Sequence, residues 1–396
     1  MNVPPLRFHW SMSSAADPKR RTQARAAMSA VPDYDVLLNF CRTAEECGMD
    51  SLLTAFGSYR PDPIAMAAAL GVKTSRIKFM IAIRSGVNVP AQFVQQVNTV
   101  SALTNGRVCL NIVNGHTPDE LANFGDFLDH GGRYARTDEF LAVCNAFWHR
   151  GEGLVNYEGT HFRVRDGRLG SRFVSPDGRV APEIFVGGNS ASAEETVIRH
   201  ADCLWRFPDV LPVVEGTATR LAAAGKETGL ILSMIARPTR GEALAEAAAL
   251  QASFDDSAKK VHEQALARTD SVASRNVYGL ANQAEWLTPT LWTGAVPFMG
   301  PASVALVGSY DEVADAMMDY KAAGVSQFLL LGWPDIEEMQ IFAREVAPRV
   351  RDRESGGQTI LSVVTGRQEC LPSTGRQDCL PSTGRQECLP STAKAS

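Results

Sequence analysis

Gly187-Gly188-Asn189-Ser190 is the stretch of this chain best suited to hold an anion. An apolar run from Glu183 ends on it, and Ala191, Ser192 and Ala193 open a helical pattern directly afterwards. The first amides of such a helix have no acceptor within the helix, and its dipole turns positive charge toward the strand end. Ser190 adds a hydroxyl donor, and the two glycines let an anion approach the backbone closely. Asn189 or Ser190 would serve equally as an ordinary N-cap. A second group is Asp129-His130-Gly131-Gly132-Arg133-Tyr134, read as a loop before a helix over 137–148. The Tyr134 phenol can donate to a phosphate. Arg133 is expected in a surface ion pair with Asp138 or Glu139. His130 is either a polar loop residue or a donor beside a ligand. The third group is Asn111, Asn114 and Gly115, where the apolar run from Val108 ends in amides and glycine. In a parallel α/β protein, strand C-termini are where ligands are held.

Other chemistries find no support in the residues. Ser11, Ser13 and Ser14 follow a strand but belong to no Gly-x-Ser-x-Gly elbow. Asp62 and Asp209 lie near strand ends, where helix capping explains them as well as acid–base work does. There is no dinucleotide glycine fingerprint and no phosphate loop of the Gly-Lys-Ser/Thr type. No Cys and His pair has zinc spacing. An anion site beside aromatic residues, without acid–base machinery of its own, points to chemistry supplied by a cofactor.

The elements that would position these residues alternate in type. Apolar strand runs are read at 6–12, 51–54, 77–83, 108–113, 183–187, 202–206, 229–236 and 327–331. Helical patterns at 33–47, 63–70, 91–103, 137–148, 193–200 and 311–323 fall between them. The join at Gly324 into Val325-Ser326-Gln327 echoes the join at Gly48 into Met49-Asp50-Ser51, each a helix, a glycine stop and a buried strand. The pattern predicts a (β/α)8 TIM barrel with insertion loops, with a doubly wound open sheet as the competing arrangement. Two stretches, 114–136 and 255–308, exceed ordinary loop length. The second carries Trp286, Trp292, Phe298 and Met299 among Gly and Pro, which suits either a mobile apolar cover or a subunit contact. The expected organisation is a barrel domain over 1–352 and a low-complexity tail over 353–396. In that tail a nine-residue unit beginning Gly-Arg-Gln occurs three times, from Gly366, Gly375 and Gly384. Few apolar residues and a proline in every copy predict disorder there.

The chain has 396 residues, 45% of them hydrophobic and 21% charged, with a net charge of −5. That balance gives no reason to expect nucleic acid as a partner. No apolar run approaches the roughly 20 residues of a membrane span, and the first residues lack a signal-peptide pattern, so a cytoplasmic location is expected. Of eight cysteines, Cys41, Cys47, Cys109, Cys144 and Cys203 sit in apolar patterns as small buried hydrophobes, and Cys370, Cys379 and Cys388 belong to the repeats.

Over about 6–348 the chain resembles the bacterial luciferase-like flavin monooxygenases, and among them the alkanesulfonate monooxygenase branch. The matching words are Leu103-Thr104-Asn105-Gly106-Arg107, Asn111 to Gly115, His130 to Tyr134, and Gly187 to Ser190, with Ala305 to Gly308 and Gly332-Trp333-Pro334 near the end. The resemblance implies FMN, used as FMNH2 from a separate NAD(P)H-dependent flavin reductase, with O2 as co-substrate and a flavin peroxide as oxidant. It implies that Asn111 and Asn114 meet the flavin ring or ribityl chain. Tyr134 and Ser190, with the backbone at Asn189, would hold the phosphate, and Gly188 would belong to the same cofactor site. His130 and Trp333 are candidates for the reacting centre, and Trp10, Arg60, Trp205 and Met299 for the substrate wall, with Trp292 beside them.

Where sulfonate-cleaving relatives carry basic residues, this chain has Ile231, Ser233 and Met299. Arg60 replaces a cysteine and Trp333 a tyrosine. A more apolar or aromatic organic substrate is therefore expected, with Arg60, Arg84 and Arg206 either recognising a carboxylate or forming structural ion pairs. A homo-oligomer, dimer or tetramer, is expected. The alternatives are a deazaflavin (F420)-dependent oxidoreductase on the same fold and a catalytically silent flavin-binding partner subunit.

Overall fold

The computed structural model describes residues 3–12, 32–58, 60–115 and 117–365. In chain order the strands are β1 (Arg7–Ser11), β2 (Ser51–Thr54), β3 (Lys78–Ile83), β4 (Val108–Ile112), β5 (Val155–Glu158), β6 (Arg163–Gly167), β7 (Glu183–Gly187), β8 (Cys203–Arg206), β9 (Glu227–Arg237), β10 (Leu291–Trp292), β11 (Ala305–Ser309) and β12 (Val325–Leu331). Strands β9-β12-β1-β2-β3-β4-β7-β8 run parallel, and a β8–β9 pairing closes them into an eight-stranded barrel. This is the (β/α)8 TIM barrel, and the open-sheet alternative is excluded by the closure. The long β9 pairs with β12 through Leu331↔Ser233 and then with β11 from Ala305↔Ser233, so β11 and β10 extend the sheet outside the barrel. β5 and β6 form a separate hairpin.

The helices between are α1 (Tyr34–Glu46), α2 (Pro63–Gly71), α3 (Pro90–Leu103), α4 (Pro118–Ala122), α5 (His130–His149), α6 (Ala191–His200), α7 (Leu211–Ala223), α8 (Arg240–Ala252), α9 (Asp256–Arg268), α10 (Val272–Gln283), α11 (Val296–Met299), α12 (Tyr310–Ala322), α13 (Asp335–Ile341) and α14 (Ala347–Thr365). Local signals set their starts. Asp33 and Asp62 cap α1 and α2 through their side chains, and Thr239 and Ser309 form capping boxes with Glu242 and Glu312. α3 stops at Thr104, and Asn105 and Gly106 adopt positive φ (52° and 80°) before the chain enters β4. A Cβ at Gly106 would also strike the backbone of Val174 and Ser175 at 2.8 Å.

Alternation along each strand sorts the core into two layers. Val108, Leu110 and Ile112 pack with the surrounding helices, while Cys109 joins Met80, Phe185, Cys203, Trp205 and Leu329 inside the barrel. At the strand N-termini the interior is polar: Arg7 pairs with Glu183 at 2.6 Å and Glu227 at 3.4 Å. One residue pair above, the His9 ring lies 2.7 Å from Ser51 Oγ and 2.9 Å from Gln327 Oε1. Burial pushes the imidazole down to about 4. His9 therefore binds its proton more readily in the unfolded chain than in the barrel. The stability this confers is complete above the unfolded value and drains as pH falls from 6.5 toward 4. Relative to His9→Gln, the wild type should lose about 3 kcal/mol across that window, read by denaturant unfolding at several pH values. Parallel pH profiles for the two proteins would contradict this placement of His9.

Several expectations need correction. The stretch 255–308 is not a long loop with a mobile apolar cover. It holds α9, α10, α11 and two strands, and Trp292 and Met299 are buried with Ile235, Ala305 and Val307 in a second core against β9 and β11. Trp286 and Phe298 pack on that core. α5 begins at His130, capped by Asp129 through Gly132 N (2.7 Å), so His130 to Tyr134 lie on the helix and not before it. Gly131 and Gly132 hide that start, because glycine lowers helix propensity even where a cap favours a first turn. The compact barrel unit closes at Glu354. Ser13, Ser14 and the repeats with Cys370, Cys379 and Cys388 lie outside the described residues.

Cys41, Cys109, Cys144 and Cys203 are buried with free thiols, and burial pushes Cys41 and Cys109 up to about 12, away from any reactive thiolate. No helix among the described residues is long and apolar enough to cross a membrane, and none of their His, Cys, Asp and Glu clusters could hold a metal ion.

Candidate functional site

The C-terminal ends of the barrel strands open into a cavity of about 340 Å³. Asn111 and Asn114 line it from β4 and the turn after it, Gly187 to Ser190 from the β7–α6 turn, and His130 and Tyr134 from the first turns of α5. Trp205 and Ile231 come from β8 and β9, and Met299 from α11. Asn111, Asn114, His130, Tyr134, Gly188, Asn189, Ser190, Trp205 and Met299, all singled out in the sequence, thus share one space, with Arg84, Gly115, Gly187 and Ile231 also in its lining.

One end of the cavity has the build of an anion cradle. Ser190 is the N-cap of α6, its Oγ accepting from Ala193 N at 3.2 Å. Its hydroxyl lies 3.4 Å from Tyr134 Oη, so two O–H donors converge on a ten-residue helix N-terminus. Gly188 N donates to Trp205 O at 2.9 Å and Asn189 Oδ1 accepts from Phe207 N at 3.2 Å, tying this turn to the end of β8. A Cβ at Gly188 would meet Ala193 Cβ at 2.7 Å and Tyr134 Oη at 3.1 Å, so only glycine keeps the cradle clear. Gly187 is less constrained, its nearest neighbour being Val113 at 3.6 Å. The His130 ring sits 4.9 Å from the Tyr134 ring, at the same end.

Toward the middle the walls carry polar atoms with no partner. Asn114 Oδ1 receives Thr137 Oγ1 at 2.5 Å, but its Nδ2 is buried and unmet. Asn111 Oδ1 is likewise buried without a donor, as is Trp205 Nε1 without an acceptor. Orphaned buried polar atoms are costly, and at a cavity wall they mark places where a ligand completes the bonding. Part of the remaining wall is apolar, where Trp205 stacks on Phe185 (5.1 Å, 13°) with Ile231, Phe207 and Met299 alongside, and Arg84 adds a charged group to the lining.

Other candidates are placed elsewhere. Trp10 is fully buried on the helix-facing side of β1, against Phe342 at 6.4 Å. Trp333 packs on the second core and Trp292 lies within it, its Nε1 donating to Glu285 at 3.0 Å. Arg60 is not among the lining residues; Glu120 and Asp335 offset the burial that pulls its guanidinium down. Ser233 donates to Ala302 O at 3.0 Å. Arg206 bonds Thr217 Oγ1 at 2.5 Å, and Asp209 accepts from Val210 N at 2.8 Å before α7.

Arg133 is the clearest reversal: it is 2% exposed and pairs with neither Asp138 nor Glu139. Its Nε donates to Asn114 O at 2.9 Å and its Nη2 to Asp270 at 2.6 Å, pinning the 255–308 insertion to α5. Glu139 instead accepts from the amides of Thr160, His161 and Phe162.

Sequence reasoning missed Phe56, Phe207 and the N-terminus of α10, Ser271 to Ser274, which closes the cavity from the insertion. The available signal was Ser271, a capping residue directly before the apolar positions Val272, Ala273, Val277 and Tyr278.

A closed β/α barrel with an anion cradle after β7 and amide-lined walls defines a ligand site suited to a phosphate-bearing cofactor. The chain belongs to the luciferase-like monooxygenase family, whose model matches residues 6–327. Among solved structures it is similar to the EDTA monooxygenase of Chelativorans sp. BNC1, at 18% identity over 89% of this chain and 95% of that one, with a TM-score of 0.69. It is also similar to the oxygenating constituent of 3,6-diketocamphane monooxygenase from Pseudomonas putida, a complex with FMN (18% identity, 87% and 98% coverage, TM-score 0.62). An F420-dependent secondary alcohol dehydrogenase shares the fold as well (16% identity, 88% and 99% coverage, TM-score 0.60).

Proposed function

We propose that this protein is an FMNH2-dependent monooxygenase of the two-component type, oxidising a small organic molecule with O2. The observation that carries the reading is the pairing of Tyr134 Oη and Ser190 Oγ at the N-terminus of α6, at one end of a cavity whose walls hold orphaned amide atoms. These residues fit FMN. The cradle would take the phosphate, Asn111 Oδ1 offers an acceptor and Asn114 Nδ2 a donor to the ribityl chain or ring, and Gly188 leaves the approach open. When bound, the reduced flavin supplies the electrons and the reactivity toward O2.

The chain's own residues do the positioning. Trp205, Phe207, Ile231 and Met299 give a water-poor wall, and Arg133 with Asp270 holds the insertion over it. His130 belongs with the phosphate end through its contact with Tyr134. Ile231 and Met299 add apolar surface to the cavity, which supports an organic substrate with an apolar or aromatic part. The reading takes FMNH2 from a separate NAD(P)H-dependent reductase.

The test is to mix the protein anaerobically with FMNH2, admit O2 and follow flavin absorbance. Reoxidation on a course distinct from that of free FMNH2 supports the monooxygenase. Reoxidation at the free-flavin rate, or tight binding of F420 in place of FMN, overturns it.

A further inference from the structure

We propose that Arg84 is the cavity's recognition element for a planar anion, either the carboxylate of an organic substrate or the negatively charged edge of reduced flavin. The proposal rests on the flavin reading above. Arg84 follows the last residue of β3 and lines the cavity, with a side chain 5% exposed. Its orientation is fixed on three sides. Nη2 donates to Glu120 Oε2 at 2.7 Å, and the guanidinium lies 5.0 Å from the Phe56 ring centroid and 5.8 Å from that of Phe124.

Two donors remain: Nε and Nη1 are buried without an acceptor. Arg133, by contrast, has an acceptor for each of its three nitrogens in Asn114 O, Leu128 O and Asp270. Glu120 is shared: its charge also acts on Arg60, and its other oxygen accepts from Ser58 N at 3.1 Å. Each unmet nitrogen shares one edge of the guanidinium with Nη2, which donates only one of its two hydrogens to Glu120, so a flat two-acceptor anion would take one unmet N–H together with the second hydrogen of Nη2. The phosphate is not that anion. Its cradle is at β7 and α6, and β4 lies between β7 and the β3 strand that carries Arg84.

The experiment uses benzoate and its neutral isostere benzamide, with the protein holding FMN, and separately compares FMN with FMNH2 affinity. The variants are Arg84→Met, Arg84→Lys and the double Arg84→Met/Glu120→Leu, which removes the pair without stranding a buried carboxylate. If the partner is a substrate carboxylate, wild type binds benzoate at least about tenfold tighter than benzamide. Both Met variants then erase the difference, Lys restores part of it, and flavin affinities stay unchanged. If the partner is the flavin edge, the preference for FMNH2 over FMN falls by a similar factor in the Met variants while benzoate and benzamide bind alike. Unchanged benzoate discrimination together with an unchanged FMNH2 preference overturns the proposal. Should wild type bind neither flavin, the functional reading fails, and the benzoate comparison repeated without flavin still decides the role of Arg84.

Discussion

Tyr134→Phe combined with Ser190→Ala is expected to weaken FMN binding by about a hundredfold or more. Each substitution removes one O–H donor to a phosphate, and a hydrogen bond to a charged group is worth roughly 1.5–3 kcal/mol. The two oxygens are 3.4 Å apart and act on one ligand group, so their losses overlap and the lower end of the sum is the better expectation. Phe at 134 keeps the ring that packs beside His130. Ala at 190 also removes the α6 N-cap, worth about 1 kcal/mol, which a melting curve reads separately from affinity. A loss below about threefold by calorimetry would place the phosphate elsewhere, since even one such bond is worth more.

Gly229→Ala should be among the most damaging single substitutions in the barrel. Gly229 is the cross-strand partner of Trp205, and an added Cβ would overlap Cε3 and Cζ3 of the indole. The indole has nowhere to go. It is fully buried, stacked on Phe185, and meets the His9 ring edge-on at 5.5 Å. Overpacking of this kind costs about 1–3 kcal/mol or more, and any escape of Trp205 would move it into the cavity it lines. Thermal unfolding should show a melting temperature several degrees lower, together with loss of flavin binding. Gly279→Ala is the matched control, because a Cβ there meets nothing within 4 Å inside α10. It should be neutral or slightly stabilising. Equal behaviour of the two variants would contradict the packing described.

Much of this was legible in the sequence where the signal is local. β2 and β7 have the ends read from their apolar runs, and the cradle after β7 is a glycine pair, a capping serine and small helix-opening residues in consecutive positions. What escaped depends on partners far away in the chain. Arg133 and Asp270 are 137 residues apart, and nothing near Arg133 announces that it is buried. The tryptophans show the same limit. Period-two alternation decides whether a strand aromatic faces the cavity or the helices. Trp205 shares the inward face with Cys203, whereas Trp10 shares the outward face with Phe8 and Met12, so only one lines the site. Residue type alone does not distinguish them. In 255–308 the glycines, prolines and short elements masked α10, whose first turn completes the cavity wall.

As proposed, this cavity holds a flavin carrying a terminal phosphate, gripped where Tyr134 and Ser190 meet the N-terminus of α6. Comparing the affinities of FMNH2 and reduced riboflavin by anaerobic titration tests it most directly, because the two ligands differ only in that phosphate. FMNH2 should bind at least about a hundredfold tighter. Equal affinities would show that the cradle holds no phosphate.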